Sequence, residues 1–233
     1  MASKQCVRAC PPGIDTKEHS MKQDFKRARS AEQKCQRLAD IKNATAQLYR
    51  EFPYHEITLT TIAERLGWSR ASLYKYVTTK EEIFLELSAD ARKAYFDALI
   101  EAFPEGCSPD TAEAAKRWAK AAQANRDWFI YGNLLLTIIE TNVSLERLKC
   151  FKKGYFDHEE ELAQRLCPAL GLNRNDFELL LGMVNNQAVG MCASCANNPL
   201  IALAMEELGI DRPSREFLPT MTDFIEMCLA RFE

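Results

Sequence analysis

Five neighbouring side chains carry most of the chemistry that can be read from this chain: Arg70, Ala71, Ser72, Lys75 and Tyr76. A guanidinium or an ammonium can meet both O6 and N7 of a guanine in the major groove, so Arg70 and Lys75 are candidates for reading base edges. Ala71 and Ser72 are small and permit close approach of a nucleic-acid surface. Other reactive groups are sparser. There are three histidines. His19 lies in a charged N-terminal stretch, His55 precedes the segment above, and only His158 lies where a helical active site could use it. His158-Glu-Glu-Glu161 lacks the second histidine of a zinc-protease helix, and the run Asp157–Glu161 reads most simply as a solvated face. No glycine-rich phosphate loop or nucleophile elbow is present, so no catalytic residue, cofactor or metal is expected.

The residues around the five explain how they are held. Thr58 and Ser69 each precede an apolar-periodic stretch and suit the N-cap of a helix. Between the two stretches Gly67 supplies the left-handed residue that a tight turn needs. Ala63, four residues before it, is small where two helices would cross. Leu73 returns to the same core beside Ile62 and Leu66. Thr79-Lys-Glu-Glu82 fits a capping box, so a further helix should begin at Lys80. Two short helices joined at a glycine, the second with a small basic outer face, are the layout of a helix-turn-helix reader of double-stranded DNA.

Residues 33–85 resemble the DNA-binding domain of the TetR family of bacterial repressors. The resemblance rests on Thr58-Leu-Thr-Thr-Ile-Ala-Glu-Arg-Leu-Gly-Trp-Ser-Arg-Ala-Ser-Leu-Tyr-Lys-Tyr-Val-Thr-Thr-Lys-Glu-Glu82 and departs at Trp68, usually a smaller aliphatic, and at Val77, usually Phe. Both should face the core, which suggests repacking within the module. The resemblance implies a homodimer that places two recognition helices in successive major grooves of a palindromic site, with centres about 34–36 Å apart. It implies that Ser69 joins the reading face and that Tyr74, Tyr76, Thr58 and Thr60 hold phosphates. Lys80 would add charge at a helix start there. Tyr74 has a competing reading, in which the ring is core and only its hydroxyl reaches out. The resemblance further implies a ligand-responsive transcriptional regulator, a repressor by default, released when a small-molecule effector shifts a lever helix.

Charge divides the chain. Residues 1–80 hold 15 Lys/Arg against 8 Asp/Glu, a net +7, whereas the remainder holds 15 against 25, a net −10. That asymmetry fits a phosphate-approaching module joined to one that avoids phosphates. Residues 1–30 contain Pro11-Pro12-Gly13 and end in Lys26-Arg27-Ala28-Arg29, and read as a disordered basic tail able to lie along a groove. Residues 1–20 look like an upstream extension, with Met21 a second possible start. The apolar runs are too short to span a membrane and no secretory leader is recognisable. Nine cysteines, an odd number scattered along helices, fit a reducing cytoplasm better than a disulfide framework. Cys192-Ala-Ser-Cys195 offers an alternative, a thiol- or metal-sensing regulator with the same DNA head, although packing is the simpler reading of that pair.

The expected fold is all-α: a helix-turn-helix domain over 31–79 and a larger helical regulatory and dimerisation domain over 80–233. Leu38, Ile41, Thr45, Leu48 and Phe52 predict a first helix over 31–52, stopped by Pro53. A lever helix from Lys80 to Phe103 should turn Ile83, Phe84, Leu87, Ala91, Tyr95 and Leu99 inward. Ser108-Pro109 should open the next helix. Further helices are expected near 127–141, 145–168, 174–197, 199–208 and 214–232. The helix near 174–197 and the last one carry apolar and small residues on more faces than a monomer needs to cover, and the family resemblance implies that they pair with symmetry mates. Trp128, Tyr131, Asn133, Thr137, Tyr155 and Asn185 are candidates to line an effector pocket, an apolar space with a few polar anchors.

Overall fold

The computed structural model describes residues 16–194, 199–210 and 216–232, with side chains described over 32–193, 203–210 and 216–232. The described residues contain helices and turns and no strand. Helix α1 (Thr16–Glu51) leads through a 3-10 turn (Tyr54–Glu56) to α2 (Leu59–Leu66) and α3 (Arg70–Leu73). Helix α4 (Lys80–Ala102) then runs from this head into the body. There follow α5 (Thr111–Ala124), α6 (Arg126–Leu134) with a π-helical turn (Leu135–Ile139), α7 (Leu145–Leu170), α8 (Arg174–Ser194), α9 (Pro199–Glu207) and α10 (Phe217–Leu229).

Three sequence expectations change. Helix α1 begins at Thr16, inside the stretch read as a disordered tail, and residues 1–15 lie outside the described ones. From Thr16 to Ser30 there is no Pro or Gly, and Lys, Glu, Gln, Arg and Ala sustain helical propensity where apolar periodicity is weak. The helix stops at Glu51, so Phe52 is exposed rather than part of the inward stripe. Helix α5 is capped by Asp110, whose carboxylate accepts the Glu113 N–H at 2.8 Å, and not by Ser108.

The lever is held in place by its own side chains. Ile83, Phe84, Leu87, Tyr95 and Leu99 are buried, and Ala91 is half-buried. Trp118 of α5, fully buried, donates its indole N–H to the Tyr95 hydroxyl at 2.7 Å. Helix α10 packs on α5 and α8 through Phe217, Met221, Ile225, Cys228 and Leu229. The head meets the body through aromatic rings. Tyr49 of α1 stacks on Tyr131 of α6 at 5.8 Å between centroids, and Phe84 meets both edge-on. Ion pairs reinforce the joint: Lys42 with Asp90, Arg50 with Asp127, and Arg147 of α7 with Glu86 at 3.2 Å and Glu82 at 4.0 Å. No helix among the described residues is long and apolar enough to cross a membrane.

Candidate nucleic-acid interface

The helix-turn-helix is built from its caps. Thr58 accepts the Thr61 N–H at 3.1 Å while the Thr61 hydroxyl accepts the Thr58 N–H at 3.0 Å, a reciprocal box that fixes the start of α2. Gly67 ends α2 at φ +66°, a left-handed position that a side chain would strain, and its N–H and that of Trp68 return to Glu64 and Ala63. Ser69 then starts α3 by accepting the Ser72 N–H at 3.2 Å, and its hydroxyl also meets that of Ser72 at 2.9 Å. Leu73, Ile62, Ala63 and Val77 are buried, so α3 is pinned by one face and can only turn its other face outward. The Thr79 cap forms as expected on the Glu82 N–H, but the Glu82 carboxylate reaches one residue further back, to the Thr78 N–H at 3.0 Å.

The outward face carries the expected side chains. Ser69, Arg70, Ala71 and Lys75 are exposed and Ser72 is half-buried. No acidic side chain pairs with Arg70 or Lys75 among the described residues, so both cations are available to a ligand. Tyr74 is 47% exposed, which decides between its two readings: the ring stands outside the core. Tyr76 is half-buried, its ring 6.1 Å from that of Trp68. Thr58 is exposed and Thr60 half-buried on α2, beside the same surface in sequence. One cation escaped the sequence reading. The Arg37 guanidinium of α1 lies 4.7 Å over the Trp68 ring, and both line a cleft of about 320 Å³ with Gly67, Ser69, Ser72, Lys75 and Tyr76. A tryptophan at 68, where the family has a smaller residue, is the signal that could have pointed to a stacking cation.

Lys80 is a correction. Its ammonium donates to the carbonyls of Tyr54 at 2.9 Å and Ile57 at 2.8 Å and sits 3.9 Å over the Tyr54 ring. Burial holds its pKa below the ordinary lysine value. The Tyr54 hydroxyl meets Glu81 at 2.6 Å, closing the same corner. Lys80 therefore commits two of its three N–H donors to the turn before α2, which favours a positioning role over the phosphate contact expected of it. Lys80→Met should lower the unfolding free energy by about 1–3 kcal/mol, as expected for lost hydrogen bonds to a charged donor. It should leave the salt dependence of DNA binding unchanged. Denaturant titration beside a salt series checks this, and a salt slope lower by about one unit would return Lys80 to the phosphates.

The six effector candidates are not brought together. Trp128 and Tyr131 are buried, with Tyr131 committed to the joint between head and body. Asn133 and Thr137 are exposed, and the Thr137 hydroxyl donates to the Asn133 carbonyl at 2.8 Å. Tyr155 is half-buried beside α4, its ring 5.9 Å from that of Phe96. Asn185 is half-buried on α8, and its Oδ1 is buried without a partner. Aromatics interleaved with amides suggested a pocket, but the α6 stretch turns Trp128 and Tyr131 into the core and Asn133 and Thr137 to the surface. The acidic run is also less uniform than expected: Glu159 is buried, accepting from Arg174 at 3.1 Å. His158 stands 3.8 Å from both Asp97 and Glu161. Cys192 is buried and Cys195 lies outside the described residues. Among the described residues no cluster of three or more His, Cys, Asp or Glu could hold a metal ion.

Comparison with protein families matches residues 41–87 to "Bacterial regulatory proteins, tetR family" and residues 89–230 to "Tetracyclin repressor-like, C-terminal domain". Among curated proteins no relative matches. Solved structures of similar fold include the TetR family transcriptional regulator PfmR from Thermus thermophilus, at 23% identity and TM-score 0.53, over 82% of this chain and 97% of that one. A tetR-family regulatory protein from Rhodococcus RHA1 aligns at 14% identity and TM-score 0.55, over 83% and 95%. The fatty acid degradation regulator FadR from Bacillus halodurans aligns at 18% identity and TM-score 0.51, over 82% and 93%. With both the capped three-helix head and the larger helical body matched, this chain belongs to the TetR family of DNA-binding transcriptional regulators.

Proposed function

We propose that the chain is a ligand-released repressor, not an enzyme, that grips an inverted-repeat DNA site as a homodimer. The observation that carries this reading is the surface of α3 and the turn after it, where Arg70 and Lys75 stand exposed with no ion pair among the described residues while Leu73 between them is buried. Cations held that way lose little freedom on docking and meet guanine edges without first breaking an internal ion pair. Ser69, Ala71 and Ser72 let the backbone approach, and Tyr74, Tyr76, Thr58 and Thr60 supply hydroxyls to phosphates on either side.

Dimerisation is supported by α8 and α10. Leu179 of α8 and Leu218 and Met227 of α10 are exposed although their neighbours are core. A Cβ added at Gly182 or Gly190 would meet nothing within 4 Å, so α8 has open sides against which another helix can pack. Release by an effector is supported by the joint. Arg147 links the first turn of α7 to α4, and Tyr131 links α6 to α1, so a ligand that moved the body would move the head.

Selection of bound sequences from random duplexes tests this. The expected product is an inverted repeat whose half-sites lie about one helical turn apart, with a guanine in each half-site lost from the consensus in Arg70→Ala. Mass measurement in solution should give two chains per particle. A monomer that enriches no sequence would overturn the reading.

A further inference from the structure

Arg92 lies in the middle of α4 and is 6% exposed. It belongs to a row with Phe84, Ser88 and Phe96 at four-residue spacing, and all four side chains face inward. An arginine buried so deeply should have a carboxylate partner, because its guanidinium cannot shed its charge. None pairs with it among the described residues. The nearby cations of α7 are each matched: Arg147 with Glu86, Lys149 with Glu146, Lys152 with Glu140 and Lys153 with Asp157. Glu159, one turn after Tyr155 on α7, is buried and already paired with Arg174 at 3.1 Å.

What Arg92 does have points in one direction. Its Nη1 donates to the Phe151 carbonyl at 3.3 Å, and the guanidinium lies 5.2 Å from the Phe151 ring centroid and 5.9 Å from that of Tyr155. Its Nε is buried without a hydrogen-bond partner among the described residues. The Nη1 corner is thus fixed, and the Nε–Nη2 edge, the side of the fork that takes a carboxylate through two parallel hydrogen bonds, is unused. Gly154 of α7 lies over that edge. A Cβ built there would meet Nη2 at 3.2 Å and nothing else within 4 Å, so a side chain at 154 would press on Nη2. Burial lowers the Arg92 pKa from its ordinary value, in keeping with a cation that lacks a compensating anion.

We propose that the Nε–Nη2 edge of Arg92, under Gly154 and between Phe151 and Tyr155, is the anchor for an organic carboxylate with an apolar body. The missing counter-ion is then the ligand's own charge, and the aromatic flanks take the ligand's apolar part. This rests on the ligand-released reading above and names the chemical class of its effector. It also places the anion against the lever, since α4 supplies the guanidinium and α7 supplies its cover. A carboxylate drawn to that edge pulls on the helix pair whose first turns Arg147 joins.

The test uses the full chain with benzoate and octanoate as probes and benzamide and octanamide as uncharged counterparts. Thermal unfolding and titration calorimetry read binding without DNA. At least one carboxylate should raise Tm in a concentration-dependent way while its amide does not. Arg92→Lys, which keeps the charge but loses the fork, should bind the carboxylate roughly 10- to 100-fold more weakly. Gly154→Ala, a change that favours helix formation, should also weaken it by covering Nη2. The proposal falls if neither carboxylate binds, if amide and acid act alike, or if both variants keep the wild-type affinity. Affinity for the selected DNA is measured separately. Carboxylate binding through Arg92 with no change in DNA affinity would uphold the anchor and refute effector release. Failure to enrich DNA would refute the regulator reading and leave the binding result standing.

Discussion

A protein with alanine at both Arg70 and Lys75 is expected to lose roughly 2–6 kcal/mol of discrimination between its selected site and unrelated DNA, about 1–3 kcal/mol for each cation that meets a guanine edge. The folded state should be unaffected. Both side chains are exposed and make no ion pair among the described residues, while the caps at Thr58 and Ser69 and the buried Leu73 hold the helix without them. Residual binding to random DNA should persist, because the hydroxyls of Thr58, Thr60, Tyr74 and Tyr76 remain and residues 1–30, with 7 Lys/Arg against 3 Asp/Glu, keep their net positive charge. Competition titrations of selected against scrambled duplex at one salt concentration separate the two effects. Equal losses on both duplexes would mean that these cations act only as charge and that base reading lies elsewhere.

The largest expected loss of stability is in the body. Trp118→Ala should cost about 3–5 kcal/mol, the range for emptying a fully buried aromatic site. The indole fills the space between Phe103 and Phe177, with centroids at 6.5 and 6.4 Å, and its N–H holds the Tyr95 hydroxyl inside the lever. Trp118→Phe keeps most of the volume but orphans that hydroxyl, so about 1–3 kcal/mol of the loss should remain. Burial drives the Tyr95 phenol pKa well above its ordinary value, so ionisation offers no relief at neutral pH. Denaturant unfolding measures both variants. A loss below about 1 kcal/mol for alanine, well short of the usual cavity cost, would show that the body closes around the gap.

The head was legible because its determinants are local. A cap hydroxyl, a left-handed glycine and a leucine returning to the core lie within a few residues of one another, and each acts on the backbone beside it. Lys80 was misread because its partners are not local: the carbonyls of Tyr54 and Ile57 lie 26 and 23 residues upstream, on a turn that only the folded head brings near. Tyr131 was misread for the same reason, since its ring is claimed by Tyr49 of another helix. At the start of α5 the sequence pointed to Ser108-Pro109 as the cap, whereas the Asp110 carboxylate holds the Glu113 amide. Arg92 was visible in principle, because counting fours from Phe84 reaches it, but the inward set read from the sequence held only apolar residues and tyrosine and left it out. In each case pattern named the helix correctly and could not name the neighbour.

Glu82 serves two attachments with one carboxylate. One oxygen accepts the N–H of Thr78, in the segment that closes the reading unit, and the other faces Arg147 on the first turn of α7. The head is therefore not a portable cassette. A chimera that moved residues 33–85 onto another body would have to bring an arginine at the position of Arg147 with it, or accept a reader that sits at a different pitch in its groove. Drift in the two halves of this chain is coupled at that point, so substitutions at 82 and 147 should be tolerated together more readily than either alone.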